Sequence, residues 1–291
     1  MSWRTVVIYN RCKLDLKMGF MVVRGEETKR VYLDEIAILL IENPAVAMTG
    51  CLLQALVEKK VRVIFCDEKY SPFAELAPYR TAYDSSRKIR MQISWDKDIK
   101  GAVWNEIVAE KIRNQAAFLR ELEKEREAEL LSSYVGQIEE YDATNREGHA
   151  AKVYFNALFG MDFSRTADIA ANAALNYGYG LLLSAFNREI AVSGYLTQMG
   201  LFHTNVFNPY NFSCDLMEPY RVLVDRFVLA NMPTVFEKDE KHALLSILNQ
   251  EVKIANATQT VLNSIKIYCR SVFEALNEGD MSKISFYQRK I

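Results

Sequence analysis

Four side chains in the C-terminal half of the sequence have the chemistry of a divalent-cation site. They are Glu147, His203 in Gly200-Leu-Phe-His203, and the pair Asp215 and Glu218 in Asp215-Leu-Met-Glu218. Two or three carboxylates with one imidazole form an oxygen-rich ligand set, which suits Mg²⁺ or Mn²⁺ better than the soft metals that thiolates bind. Such an ion stabilises the charge that builds on a phosphodiester during displacement and helps to deprotonate an attacking hydroxyl.

Each of these residues also has a structural interpretation. Asp215 and Glu218 are three apart and share one face of a helical turn, but Asp-x-x-Glu is also a capping-box pattern. Glu147 would suit the first turn of a helix, where a carboxylate complements the helix dipole. His203 precedes Asn205 and Pro209, which indicates a loop, where a functional histidine is more common than in a core. Spacing alone does not show that these residues meet.

The elements that position them change character along the chain. β-Branched and aromatic runs predict strands at residues 4–9, 18–24, 29–33, 36–41 and 61–66, with one helix over 49–60. Helical periodicity then dominates, over residues 103–131, 150–158, 167–190, 220–230, 241–251 and 261–277. We therefore predict an α+β protein with a small, mainly β domain at 1–70, a proline-containing linker at 71–85, and a larger all-α domain at 86–291.

Composition excludes several classes of protein. Half of the 291 residues are hydrophobic, which excludes disorder, and no apolar run approaches the ~20 residues that span a bilayer. The N-terminus lacks the pattern of a secretory signal, and the five scattered cysteines lack zinc-site or disulfide spacing, so we expect a cytoplasmic protein without a membrane partner.

The charge balance bears on nucleic-acid binding. Lys and Arg number 36 against 37 Asp and Glu, so the net charge of −1 argues against bulk electrostatic capture of nucleic acid. The one local basic excess is Arg87, Lys88 and Arg90, which is either a solvated face or a contact for DNA phosphates. Phosphate loops, dinucleotide fingerprints and nucleophile elbows are absent from the sequence.

Four segments, in order, resemble a known family. They are Glu147-Gly-His-Ala-Ala-Lys-Val-Tyr154, Asn172-Ala-Ala-Leu-Asn-Tyr-Gly-Tyr-Gly-Leu-Leu182, Gly200-Leu-Phe-His203 and Asp215-Leu-Met-Glu218-Pro-Tyr-Arg221. Together they resemble the CRISPR adaptation integrase, the CRISPR-associated endonuclease that inserts new spacers. The opening Ser2-Trp3-Arg4 and the segment Lys111-Ile-Arg-Asn-Gln115 are similar to the type II branch of that family.

The resemblance implies roles for residues of this chain. Glu147, His203 and Glu218 would ligate Mg²⁺ or Mn²⁺, and Asp215 would be a further ligand or a group behind the ligands. Many members of the family have Asp where this chain has Glu218, which leaves the relative roles of Asp215 and Glu218 open. Tyr154, Asn172 and Tyr179 occupy motif positions near the site and are weaker candidates for positioning DNA or the ligands.

The resemblance also implies an activity and partners. The 3′-hydroxyl of a short protospacer DNA would attack a phosphodiester at the leader-repeat boundary of a CRISPR array, with cleavage of branched DNA as related chemistry. The N-terminal domain would form a homodimer, and dimers would flank a small ferredoxin-like companion protein, with other type II CRISPR proteins as further partners. A metal-dependent phosphohydrolase of small substrates and a non-catalytic DNA or protein scaffold remain as alternatives.

Overall fold

The computed structural model describes residues 4–68, 72–76 and 84–289. The chain divides into two compact units, residues 1–83 and 84–291. The predicted division into a strand-rich N-terminal region and a helical C-terminal region is confirmed. Among the described residues, no helix has both the length and the apolar character needed to cross a membrane.

The first unit contains two four-stranded sheets. One has the order β1-β5-β7-β8 and the other the order β4-β3-β2-β6. The strands are β1 (Arg4–Ile8), β2 (Lys13–Lys17), β3 (Phe20–Arg24), β4 (Thr28–Tyr32), β5 (Ile36–Ile41), β6 (Ala47–Met48), β7 (Arg62–Cys66) and β8 (Pro72–Leu76). β5 pairs in parallel with β1 and β7, and all six of its residues are buried. Helix α1 (Gly50–Glu58) buries Leu52 and Leu56 in the core of this unit.

Strand β2 was not predicted, because its lysines and aspartate resemble turn residues. In the structure they alternate with Leu14 and Leu16, and Leu14 is fully buried, which is the period of a half-buried strand. Met18 and Gly19 both have positive φ and form the two-residue turn into β3. Within the predicted linker, Pro72–Leu76 is a strand that pairs antiparallel with β7, and residues 77–83 lie outside the described residues.

The second unit is built mainly from helices. They are α2 (Ser85–Ser94), α3 (Lys97–Glu121), α4 (Glu125–Val135), α5 (Arg146–Phe159), α6 (Ala170–Val192), α7 (Asn211–Met217), α8 (Arg221–Asn231), α9 (Lys238–Leu245) and α10 (Val261–Glu278). The predicted helix over 103–131 is two helices, because the chain turns at Glu123, which has φ of 60°. α3 packs against α4, α5, α8 and α10.

The C-terminal region is mainly helical, and it also contains a small sheet that was not predicted. Strands β9 (Glu251–Ile254), β10 (Ala257–Thr260) and β11 (Gln288–Arg289) form a small antiparallel sheet in the order β10-β9-β11. Val252 and Ile254 are buried while their neighbours are exposed, and Ala255 and Asn256 take positive φ in the turn. A single helix was predicted over 241–251. In the structure the α-helix ends at Leu245, and a 3₁₀ turn follows it from Ser246 to Asn249.

Candidate metal centre

Glu147 lies in the first turn of α5. The carboxylate of Asp142 accepts the amides of Arg146 and Glu147 at 2.7 and 2.9 Å, which satisfies two of the unpaired donors at this helix end. The Glu147 side chain is 24% exposed, and its Oε1 accepts a hydrogen bond of 2.5 Å from Lys111 Nζ. The helix-start interpretation therefore holds for the backbone of Glu147, while its carboxylate belongs to a cluster.

Glu218 begins the 3₁₀ turn Glu218–Tyr220 that joins α7 to α8, and Pro219 occupies the first turn, where its missing amide costs no bond. Its buried carboxylate accepts one hydrogen bond from Lys111 Nζ and one of 2.8 Å from Arg221 Nε. Burial alone would raise the pKa of Glu218, but Arg221 and Lys111 outweigh it and lower the pKa to about 2. Glu218 is therefore an ionised carboxylate in the protein interior.

Lys111 connects the two glutamates and was not predicted as a site residue. It lies on the buried stripe of α3, one turn after Ile107, and its ammonium bridges Glu147 and Glu218. Burial favours the neutral amine, yet Glu218 and Glu147 together raise the pKa of Lys111. A lysine within an otherwise apolar helical stripe is the signal that identifies it, since a buried ammonium requires anionic partners.

His203 lies in the loop between α6 and α7, as predicted, and Asp215 holds it. His203 Nδ1 lies 2.5 Å from Asp215 Oδ1, so that a ring donating from Nδ1 keeps Nε2 as its acceptor nitrogen. The hydrogen bond to Asp215 raises the pKa of His203, and the charges of Glu218 and Glu147 raise it further.

Asp215 does not cap its own helix, because α7 begins four residues earlier, at Asn211. Its fully buried carboxylate instead accepts three backbone amides of the preceding loop, from Leu201 at 2.5 Å and from Phe202 and His203 at 3.1 Å. A Cβ on Gly200 would lie 2.4 Å from the His203 carbonyl and 2.6 Å from Asp215 Oδ2, so only glycine fits there. The capping-box interpretation of Asp215 and Glu218 is wrong.

A second layer of buried and half-buried groups lies behind Glu218. Arg221 stacks on the ring of Tyr179, with 4.7 Å between the guanidinium carbon and the ring centroid. Tyr179 and Tyr154 both donate their hydroxyls to Asp225, the latter at 3.0 Å. Burial raises the pKa of Asp225 to about 6, against the opposing effect of these hydroxyls and of the Arg221 and Lys111 charges. Tyr154 and Tyr179 thus lie in the hydrogen-bonded layer next to Arg221.

Asn172 has a different environment. Its amide nitrogen donates to the carbonyls of Ser164 and Ala167, both at 2.8 Å, and its oxygen accepts from Arg165 at 2.5 Å. These contacts fix the loop before α6, and the Arg165 guanidinium lies over the ring of Tyr179 at 5.5 Å. Asn172 therefore reaches the cluster through Arg165 and Tyr179 rather than by direct contact with the glutamates.

The basic cluster at the start of α2 has internal partners. Arg87 and Lys88 form ion pairs with Asp84 at 2.9 and 3.3 Å, and Arg90 is exposed. A contact of these residues with phosphate stays a prediction, and for Arg87 and Lys88 it would compete with the carboxylate of Asp84.

The donor set of this centre fits a hard divalent cation. In residues 4–68, 72–76 and 84–289, no three His, Cys, Asp or Glu side chains are arranged closely enough to hold an ion as they stand. The Lys111 ammonium nevertheless lies between two carboxylates, which shows that the space between Glu147 and Glu218 accepts positive charge. A histidine whose Nδ1 is bound to a carboxylate is also a frequent arrangement for a metal ligand.

Comparison with known proteins shows the family of this chain. Residues 6–252 match the family model described as CRISPR associated protein Cas1. A curated relative, the CRISPR-associated endonuclease Cas1 of Neisseria meningitidis serogroup C (strain 8013), is 36% identical over 230 residues, which cover 79% of this chain and 76% of the relative.

Two solved structures share the fold at low sequence identity. A casposase bound to an integration product aligns with a TM-score of 0.77 at 17% identity, over 97% of this chain and 92% of that one. A chain of a Cas6-RT-Cas1–Cas2 complex aligns with a TM-score of 0.74 at 16% identity, and covers 97% of this chain. This chain spans 36% of the length of that larger one.

Proposed function

The chain belongs to the CRISPR-associated Cas1 family, and from this premise we propose that it is a DNA integrase and endonuclease of CRISPR adaptation that requires Mg²⁺ or Mn²⁺. The observation that carries the proposal is the convergence of Glu147 and Glu218 on one buried ammonium, together with a histidine that is oriented by Asp215, three residues before Glu218. The curated relative is named an endonuclease, which supports an enzyme rather than a scaffold. Membership of the type II branch stays a prediction.

We assign the metal to Glu147, Glu218 and His203. Two carboxylates and one neutral imidazole suit Mg²⁺ or Mn²⁺, and that ion, when bound, would neutralise charge on the reacting phosphate and acidify the attacking hydroxyl. Asp215 acts on His203 as a positioning residue, because both of its oxygens are already occupied by the ring and by backbone amides. Arg221 also donates to Glu218, so it would keep this carboxylate ionised and oriented if an ion replaced the Lys111 ammonium.

The reaction is a transesterification. The 3′-oxygen of the incoming protospacer forms a bond to the target phosphorus, the bond between that phosphorus and the target 3′-oxygen breaks, and the proton lost by the attacking hydroxyl is balanced by protonation of the leaving oxygen. One phosphodiester replaces another, so no nucleotide cofactor is consumed. The fold shared with a casposase bound to its integration product is compatible with this chemistry.

We also propose two protein partners. One is a second copy of this chain, bound through the N-terminal unit, where Met18 is exposed and Phe20 and Tyr32 form an exposed ring pair on β3 and β4. The other is a small ferredoxin-like companion protein. A structural neighbour that is a Cas1–Cas2 complex supports association with another CRISPR protein.

A strand-transfer assay tests the function. Labelled protospacer DNA and a leader-repeat duplex are incubated with the protein and Mn²⁺ or Mg²⁺, with and without the companion protein, and joined products are resolved by size. Loss of a group behind the ligands costs ~10–100-fold in metalloenzymes, so Glu147→Gln and His203→Ala are expected to lower the rate by about 100-fold or more.

Glu129→Gln is the matched control, because Glu129 is an exposed carboxylate on α4 outside the centre. Unchanged transfer in Glu147→Gln would refute the site. Turnover of a small phosphodiester without any joining of DNA would identify a phosphohydrolase instead.

A further inference from the structure

The loop that carries His203 ends in an exposed apolar tip. Val206 and Phe207 are 88% and 91% exposed, although both side chains are among the types that usually lie in a core. They follow the imidazole by three and four residues. An exposed apolar pair next to a reactive centre indicates a contact surface.

The backbone beneath this tip is fixed by a turn. The Asn208 amide donates to the Asn205 carbonyl at 3.0 Å, and the Asn205 side chain accepts the Phe207 amide at 3.0 Å. The Asn208 side chain in turn accepts the Tyr210 amide at 3.0 Å. These asparagine turns fix the backbone on both sides of the two apolar side chains, which therefore point away from the base of the loop.

The base of the loop is anchored to the core. The buried Asn211 side chain donates to the carbonyls of Gln198 and Asn205 at 3.1 and 2.9 Å, and Thr197 Oγ1 donates to the Pro209 carbonyl at 2.8 Å. Phe202 stacks on Trp104 with ring centroids 4.6 Å apart. The tip therefore keeps a fixed position relative to His203.

The charge of the loop is compatible with a polyanion. Residues 199–214 contain no Asp, Glu, Lys or Arg, and the next carboxylate, Asp215, is fully buried. A surface without negative charge approaches phosphates without repulsion, and apolar side chains of this size insert between base steps in proteins that bend DNA.

We propose that Val206 and Phe207 form a wedge that inserts into the target DNA duplex beside the phosphodiester under attack and unstacks a base step there. This inference rests on the proposed function. A chain spans at most about 3.6 Å per residue, so the Phe207 Cα lies within about 14 Å of the His203 Cα, which corresponds to at most about four base steps of 3.4 Å. The wedge holds the reacting phosphodiester at the centre.

Fluorescence of 2-aminopurine locates the wedge. The base is placed at each of the four steps on either side of the target phosphodiester, and the protein carries Glu147→Gln so that the bound target stays uncut. Binding is expected to raise the fluorescence at one step, and Phe207→Ala in the same background is expected to abolish that increase.

Strand transfer by otherwise wild-type protein provides the second measurement. Because stacking of a base on an aromatic ring stabilises the complex, Phe207→Ala is expected to slow transfer into a paired target about tenfold or more. A target with a mismatch at the identified step is already unstacked, so the variant should regain the wild-type rate on it. Rescue by the DNA distinguishes a wedge from a residue that only supports the fold.

Met161→Ala is the matched control, because Met161 is also an apolar side chain on an exposed loop of this unit, 80% exposed. Equal transfer rates for Phe207→Ala and wild type, or an equal loss on paired and mismatched targets, would overturn the wedge. The wedge would also be overturned if Phe207→Ala still unstacked the base but no longer co-eluted with the companion protein, because the tip would then bind protein. If wild type joins no DNA, the proposed function fails, and the fluorescence measurement still decides the wedge.

Discussion

Replacing Lys111 with methionine removes the ammonium that bridges Glu147 and Glu218. Methionine keeps the length of the side chain and its packing in the α3 stripe, so the change acts on charge. It leaves the buried Glu218 with Arg221 as its cationic partner, and it leaves Glu147, which is 24% exposed, without the hydrogen bond from Lys111. The substitution therefore measures how much this cation stabilises the two carboxylates.

The magnitude follows from the burial of the cluster. Removing one partner of a buried ion pair costs about 3–5 kcal/mol, and the remaining Arg221 and the partial exposure of Glu147 place Lys111→Met near the lower end, at about 3 kcal/mol. For a unit of roughly 200 residues, each kcal/mol lowers Tm by about 2–4 °C. We expect Tm to fall by about 6–12 °C in the absence of divalent cations, as measured by differential scanning calorimetry.

Divalent cations should stabilise Lys111→Met more than they stabilise the wild-type protein. In wild type, Mn²⁺ would have to displace the Lys111 ammonium from between the carboxylates, whereas in Lys111→Met that position carries no competing charge. Because a ligand that binds only the folded state raises its stability, Mn²⁺ should raise the Tm of Lys111→Met by more than that of wild type. Adding Glu147→Gln to Lys111→Met should restore part of the lost stability without Mn²⁺, since it removes the unpaired carboxylate.

Lys152→Met is the matched control, since Lys152 is an exposed lysine on α5, and such surface changes stay within about 0.5 kcal/mol. A Tm for Lys111→Met equal to that of Lys152→Met would refute the claim that the ammonium compensates the two glutamates. A smaller Mn²⁺ response in Lys111→Met than in wild type would refute competition between the ammonium and the ion.

Two further substitutions test the surroundings of the centre. Below pH 3.8 Asp225 is protonated in both the folded and the unfolded state, and between pH 3.8 and about 6 the folded state keeps a proton that the unfolded state has lost. The buried carboxyl therefore costs stability as the pH rises, up to about 3 kcal/mol above pH 6, so Asp225→Asn should gain Tm relative to wild type between pH 4 and pH 7. A Tm difference that does not vary with pH would contradict this. Gly200→Ala should abolish strand transfer, because its Cβ would displace the His203 carbonyl and Asp215, whereas Gly180→Ala, which meets nothing within 4 Å, should transfer DNA at the wild-type rate. Equal rates for both glycine variants in that assay would show that the loop tolerates the methyl group.

The part of this site that sequence alone could predict is the part defined by local spacing. Arg221 follows Glu218 by three residues, which places both on one helical turn. The residue types around Glu147 likewise indicate the start of a helix, which Asp142 caps in the structure. Lys111 lies 36 residues from Glu147 and 107 from Glu218, and no local period connects them. Only the packing of α3 against α5 and the turn before α8 brings the three together.

Asp215 shows a second limit of local reasoning. The pattern Asp-x-x-Glu suits a helix start, and nothing nearby in the sequence indicates that α7 begins at Asn211. Asp215 does not cap the helix that follows it. Its carboxylate instead accepts backbone amides from a loop 12 to 14 residues earlier in the chain. The same limit applies to the small sheet at β9–β11, where β11 joins from the end of the chain.

The near-zero net charge acquires a structural meaning in this arrangement. Several cations of this unit are paired internally, since Lys111 and Arg221 bind Glu218 at the centre and Lys88 binds Asp84 at the start of α2. They contribute little to a long-range field that would capture DNA, because each is neutralised within a few ångströms. The orientation of a target duplex must then depend on short-range contacts, and the rigid apolar tip at Val206 is the contact surface that follows His203 most closely along the chain. With the proposed wedge, the protein would select DNA that is easily unstacked at the reacting step, since apolar contact rather than charge would supply the energy of distortion.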